Sequence, residues 1–181
     1  MTCIVGLVNK GVVYMGGDGL AVYTHNLNVV PRLDEKVFIN GPFIIGFTTS
    51  FYMGQLLRYK FSPPKQTVDV DDMKYMATDF IDSVKKCFIE NDFGKISEDK
   101  TKEGGTFLVG YKDNLYTIND DYQVGKPYLG YDSCGCGSSF ALGSMRNSKG
   151  TPESRIKQAL ETAAAFSGGV GPPYTIIKLS K

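Results

Sequence analysis

The chain has 181 residues, 42% of them hydrophobic and 22% charged, and its 20 Lys and Arg against 19 Asp and Glu leave a formal net charge of +1. That length and composition fit one globular domain burying about 70% of the surface its unfolded form exposes. They exclude the basic stripe of a nucleic-acid binder, and no apolar run has the length of a membrane-spanning helix.

The opening stretch, MTCIVGLVNKGVVYMGGDG, carries no charged-then-apolar leader, so a cytoplasmic protein is expected. In that compartment Cys3, Cys87, Cys134 and Cys136 are expected as reduced thiols. Cys134 and Cys136 lack a second ligand pair at zinc spacing, and His25 is the only histidine. No metal, no other cofactor and no histidine-based triad is therefore expected.

TCIVGLV and VVYMGGD are short apolar runs split by NKG, which reads as a hairpin. A three-residue turn with Gly11 left-handed pairs Val8 with Val12, and paired positions then sum to twenty. Thr2 falls opposite Asp18 in that register, with Cβ atoms about 4.5–5.5 Å apart on one face of the sheet, unless a bulge at Gly16 and Gly17 shifts the pairing by one. EKVFI and FIIGF flank a second turn, NGP. Its expected register sets Ile39 against Pro42 and Lys36 against Ile45. Gly46 then sits one step from Lys36, near a strand end where an amide can turn outward.

Residues 50 to 59 turn helical, and SPPK stops them. From Val70 to Glu90, Met73, Met76, Ala77, Phe80, Val84 and Phe88 recur at helical steps. NDFGKISEDKTKEGG reads as a charged loop. TFLVGYKDNLYTINDDYQ reads as two strands around KDN with a further short strand beyond, and SSFALGSMRN as a short helix. In TPESRIKQALETAAAF, Thr151 is the expected N-cap, Pro152 opens the helix and Glu153 sits in its first turn. Its buried stripe would be Ile156, Ala159, Leu160 and Ala163. SGG ends it, and PPYTIIKLS returns as a strand. Runs of strands followed by runs of helices give an α+β class with helix-covered antiparallel sheets.

Taken singly, Asp18 suits a turn, Lys36 a solvated surface and Gly46 a bulge or close contact. Together they put a carboxylate beside a terminal threonine and a lysine beside a glycine amide. The segments Thr2, GVVYMGGDG, EKVFI, FIIGF, GCGSSFALG and FSGGVGPPYTII, in this order and over nearly the whole chain, resemble the proteasome β-subunit and HslV group of N-terminal nucleophile hydrolases. The resemblance implies one domain over residues 1–181, a four-layer αββα sandwich, assembly into a homo-oligomeric ring, and hydrolysis of polypeptides. It implies Thr2 as nucleophile, Asp18 and Lys36 as its charged support, Gly46 as oxyanion amide, and Cys136 and Ser167 beside the terminal amine. Ala21, Ile44 and Thr48 would line the substrate pocket, and an ATP-driven AAA+ unfoldase would supply unfolded chains. GCGSS lacks the lysine of a phosphate loop, so such a partner would be a separate protein.

The chemistry requires Met1 to be gone, because only a free Thr2 amine can accept the proton of the Thr2 hydroxyl. Two departures weigh on activity. Cys136 stands where the familiar GSGS pattern has serine, and a thiol is the weaker hydrogen-bonding group; a small apolar filler is its competing role. Ala164 stands where an aspartate is usual. The readings that follow are a threonine endopeptidase, a catalytically silent ring subunit serving as scaffold, or an amidase acting on a small amide.

Overall fold

The computed structural model describes residues 1–23, 25–26, 28–96 and 102–179. In chain order, β1 (Ile4–Asn9) and β2 (Val12–Asp18) lead to β3 (Leu20–Tyr23) and β4 (Asn28–Pro31), then β5 (Val37–Asn40), β6 (Phe43–Phe47) and helix α1 (Phe51–Tyr59). Next come α2 (Asp72–Tyr75), a π-helical turn (Met76–Phe80) and α3 (Ile81–Glu90), followed by β7 (Lys95–Ile96) and β8 (Lys102–Glu103). The last third holds β9 (Phe107–Tyr111), β10 (Asn114–Ile118), β11 (Val124–Gly125), β12 (Tyr131–Cys134), α4 (Ser138–Asn147), α5 (Pro152–Phe166) and β13 (Tyr174–Lys178).

Two antiparallel sheets stack, in the orders β12-β1-β2-β13 and β11-β10-β9-β6-β5. The period-2 alternation of each strand feeds two cores at once. Val5 and Leu7 of β1 pack against Ile156, Leu160 and Met145 of α4 and α5, whereas Ile4 joins Met15, Ile44 and Leu108 between the sheets. Phe43, Ile45 and Phe47 of β6 face the third core, built with Leu57 of α1 and Phe80, Val84 and Phe88 of the long helix. Helix, sheet, sheet and helix thus form four layers, as the resemblance implied.

Local signals account for the helix ends. The Ser50 side chain accepts from the Tyr52 and Met53 amides, and Thr151 from that of Ser154. Ile156, Ala159, Leu160 and Ala163 are the buried stripe of α5. The stripe expected over 70–90 is displaced at its start: Met73 is 40% exposed and Ala77 is also exposed, while Tyr75 is buried. The π turn inserts one residue into the helical repeat and rotates the preceding turn.

Both expected registers need correction, and for one reason. In β1–β2, Val8 pairs with Val13 and Asn9 with Val12 across a two-residue turn with Lys10 and Gly11 at positive φ. In β5–β6, Asn40 pairs with Phe43 and Ile39 with Ile44. The third hairpin is as tight, with Tyr111 against Asn114. Two-residue turns with left-handed residues match the right-handed twist of the strands, and that gain outweighs the strain at Lys10 and Lys112. The charged loop also departs from expectation, because β7 pairs with β8 within it, Lys95 against Glu103. Residues 97–101 of that loop, and Ser180 of the expected last strand, lie outside the described residues. The β3–β4 hairpin was not expected from sequence.

Candidate active site

The shifted register leaves Thr2 beyond the ladder and puts Cys3 across from Asp18. The Asp18 amide donates to the Cys3 carbonyl at 3.2 Å, and the Cys3 amide donates to Asp18 Oδ1 at 2.9 Å. Asp18 therefore grips the residue after Thr2 on both backbone groups. Its Oδ2 accepts from the Leu20 amide at 3.1 Å.

Lys36 enters from the second sheet. Its Nζ donates to Asp18 Oδ1 and Oδ2 at 2.9 and 3.0 Å and to the Leu20 carbonyl at 2.7 Å. All three ammonium protons have acceptors, as burial of the charge demands. Burial pushes the Lys36 ammonium below its ordinary pKa, and the Asp18 carboxylate pulls it back up.

On the other side, the Thr2 nitrogen donates to Cys136 Sγ at 3.2 Å, and Cys136 Sγ lies 3.3 Å from Ser167 Oγ. The Thr2 hydroxyl donates to the Met1 carbonyl at 2.5 Å. Cys136 is exposed, which removes the apolar-filler role weighed for it. Its neighbour Gly135 has φ +98, and a Cβ there would collide with the Thr2 carbonyl, so only glycine lets the loop close on the first residues. Ser167 caps α5, its amide donating to the Ala163 carbonyl at 2.9 Å. Ala164 is half-buried against the α4–α5 core and offers no polar group.

Five of the nine expected residues, Thr2, Asp18, Lys36, Cys136 and Ser167, are thus joined by direct contacts or through Cys3. Ala21 is buried on β3, next to the Leu20 carbonyl that Lys36 binds. Thr48 is buried, its methyl facing Gly135, and its hydroxyl donates to the Thr106 carbonyl at 2.7 Å. Gly46 and Ile44 lie elsewhere. Ile44 is wholly buried in the core between the sheets.

Gly46 pairs with Val37 on one side and Leu108 on the other. Phe47 N donates to Lys36 O and Thr48 N to Thr106 O, so strand alternation turns the Gly46 amide toward Leu108, inside the ladder. It does not turn outward. The amide left outside the ladder is that of Thr49, which the sequence does not signal. Thr49 has φ +64, and Ser50 N donates back to Thr48 O at 2.7 Å across it. That is a γ-turn of the rare, strained hand. The Thr49 amide has no hydrogen-bond partner among the described residues. A β-branched residue in this region is an outlier that residue type alone does not signal.

Among the described residues no three His, Cys, Asp or Glu side chains converge to hold a metal ion, and no helix is long and apolar enough to cross a membrane. No protein-family model matches the chain, and no curated protein matches it in sequence. Solved structures do resemble it. BPH of Thiobacillus denitrificans in complex with epoxomicin aligns at a TM-score of 0.79 and 16% identity, over 99% of this chain and 100% of that one. HslV of Trypanosoma brucei gives 0.67 and 17%, over 99% of each chain. Anbu, an ancestral β-subunit from Yersinia bercovieri, gives 0.66 and 12%, over 97% of this chain and 80% of that one. The chain therefore has the α+β sandwich fold of the HslV- and proteasome-like N-terminal nucleophile hydrolases.

Proposed function

We propose that the chain is a threonine-type endopeptidase in which Thr2, once Met1 is removed, attacks the carbonyl of a peptide bond. The freed α-amine, with an ordinary pKa of about 7.7–8.0, takes the proton of the Thr2 hydroxyl. The nearby Lys36 cation lowers that pKa through like-charge repulsion. Asp18 fixes Lys36 and holds Cys3, so the nucleophile has little freedom to drift. The Thr49 amide donates to the oxyanion, a contact whose loss costs about 2.7–4 kcal/mol in comparable sites. The tetrahedral carbon then expels its amine, which takes the proton held on the Thr2 nitrogen. Water hydrolyses the remaining ester on Thr2 Oγ1.

The observation that carries this reading is the buried Lys36–Asp18 pair bound to the backbone of the residue beside Thr2. The resemblance extends it: residues 1–181 acting as one domain, a homo-oligomeric ring in the cytoplasm, and unfolded polypeptide delivered by a separate AAA+ unfoldase. The test is the intact mass of the purified assembly before and after treatment with an epoxyketone. A chain lacking Met1 that gains one adduct on Thr2, lost in Thr2→Ala, is expected. A processed, assembled chain that gains none overturns the reading. It would favour the silent ring subunit, which the sulfur at Cys136 and the missing carboxylate at Ala164 support.

A further inference from the structure

We infer that Cys136 is a reversible oxidation site: peroxide oxidises its thiol, and the freed Thr2 amine then closes a sulfur–nitrogen bond on it that takes the amine out of use. The inference rests on the reading above for the removal of Met1 and for the amine's role as proton acceptor.

Cys136 differs from the other three thiols in two ways. It is the exposed one, and its sulfur stands 3.2 Å from the Thr2 nitrogen. The loop at the start of α4 wraps the two together. The Gly137 amide and the Cys136 thiol donate to the Thr2 carbonyl at 3.3 and 3.4 Å, and Gly135 passes where a Cβ would collide with that carbonyl. From the other side Asp18 holds both backbone groups of Cys3. Thr2 itself is buried. Nitrogen and sulfur are thus kept in contact while the thiol stays open to a small solute.

Peroxide, a two-electron oxidant, attacks an accessible thiolate and leaves a sulfenic acid and water. A sulfenic acid condenses with a thiol or with a nitrogen beside it. Here the nitrogen is already in place. The Thr2 lone pair attacks the Cys136 sulfur, the S–OH bond breaks, and the hydroxide leaves as water with one proton of the amine. At pH 8 a free α-amine of ordinary pKa is about half unprotonated, so the lone pair is available. The competitors are weaker. Ser167 Oγ, 3.3 Å from the same sulfur, is a hydroxyl and a poorer nucleophile than an amine. Cys3 and Cys134 are buried, which pushes both thiols up, Cys3 to about 12, and leaves little thiolate to attack. Once bonded to sulfur, the Thr2 nitrogen cannot take the proton of the Thr2 hydroxyl, and hydrolysis stops. An added thiol reverses the bond: it attacks the sulfur and frees the amine, and a second thiol then releases Cys136 from the mixed disulfide. Serine at this position could keep the hydrogen bond but could not form the S–N bond.

The test uses the processed, assembled chain at pH 8, treated briefly with hydrogen peroxide in slight excess. Intact mass should fall by about 2 Da, a loss that dithiothreitol reverses. Fragment masses should join the Thr2 nitrogen to the Cys136 peptide. The same loss should appear in Cys3→Ala, where no Cys3–Cys136 disulfide can form, and should be absent in Cys136→Ser. Adduct formation on Thr2 by an epoxyketone should fall at least about tenfold in the oxidised chain and return on reduction. A gain of about 16 or 32 Da on Cys136 without the loss, a bond traced to another cysteine, or no change at Cys136 overturns the inference; the peptidase reading survives wherever untreated Thr2 takes the epoxyketone. A sulfur–nitrogen bond in a chain whose untreated Thr2 takes none overturns the peptidase reading and leaves the oxidation site standing. A chain that keeps Met1 overturns both.

Discussion

Lys36 and Asp18 meet at 2.9 Å with side chains only 1% and 0% exposed, so a full ion pair is sealed between the end of β2 and the residue that leads into β5 of the other sheet. The pair joins the sheets at the end where Thr2 lies, and it has two consequences, one for stability and one for chemistry.

Removing one partner leaves the other charge buried without compensation. Asp18→Ala should destabilise the fold by about 3–5 kcal/mol and abolish modification of Thr2. Combining it with Lys36→Met should cost less than the two single changes summed, because no orphan charge remains. Urea unfolding midpoints of the three variants check this, and a loss below about 1 kcal/mol in Asp18→Ala would contradict it.

The Thr2 nitrogen has a sulfur as its partner. Cys136→Ser supplies a stronger hydrogen-bonding group at an exposed position, so a gain of about 1 kcal/mol, roughly fivefold in the rate of Thr2 modification, is expected. Unfolding should be unchanged. Cys136→Ala should move the rate the other way.

The four thiols differ sharply in environment. Cys136 is exposed, while Cys3, Cys87 and Cys134 are buried. Burial pushes the Cys3 thiol up to about 12, leaving about one molecule in ten thousand ionised at pH 8. Native labelling with a thiol reagent should therefore stop at one equivalent, located on Cys136 by peptide mapping, with four equivalents reached only after unfolding.

The same raised thiol sets an alkaline limit. Between pH 9 and 12 the unfolded chain loses the Cys3 proton that the folded chain keeps, so the unfolded state binds fewer protons and stability falls as pH rises. The loss is on the order of 4 kcal/mol by pH 12. Cys134, also raised by burial, acts in the same direction. Lys36 opposes them, because its lowered pKa lets the folded chain release a proton the unfolded chain retains up to about 10.5. Urea midpoints from pH 8 to 10.5 should decline, and less steeply in Cys3→Ala.

Gly46 offers a check on the site assignment. A Cβ there would stand 2.6 Å from Ile4 Cγ2 and 2.7 Å from Met15 Sδ, so Gly46→Ala should cost about 1–3 kcal/mol through overpacking. The folded fraction should modify Thr2 at the wild-type rate. A rate loss without a stability loss would return the oxyanion role to Gly46.

Much of the fold is legible from local chemistry. Thr151 and Pro152 mark the start of α5, Ser50 that of α1, and the alternation in FIIGF already separates the two buried faces of β6. Thr2, Asp18, Lys36, Cys136 and Ser167 are named through the resemblance of their segments to a known family, and the fold brings these five together. The roles that resemblance gives Gly46 and Ile44 do not fit the fold. Whether a strand residue's amide faces a ladder or the solvent depends on what pairs alongside it, and β9, which occupies the Gly46 side, comes about sixty residues later in the chain.

By itself, then, the sequence determined the main helices and the β1–β2, β5–β6 and β9–β10 hairpins, but not the β3–β4 and β7–β8 pairs. The tertiary structure alone decided the register of those hairpins, the left-handed turn that frees the Thr49 amide, and the burial that makes an ion pair of Lys36 and Asp18. The reason is physical. Propensity and capping act within a few residues. Register and burial are settled by packing between sheets, where a one-residue slip sends every side chain to the wrong face.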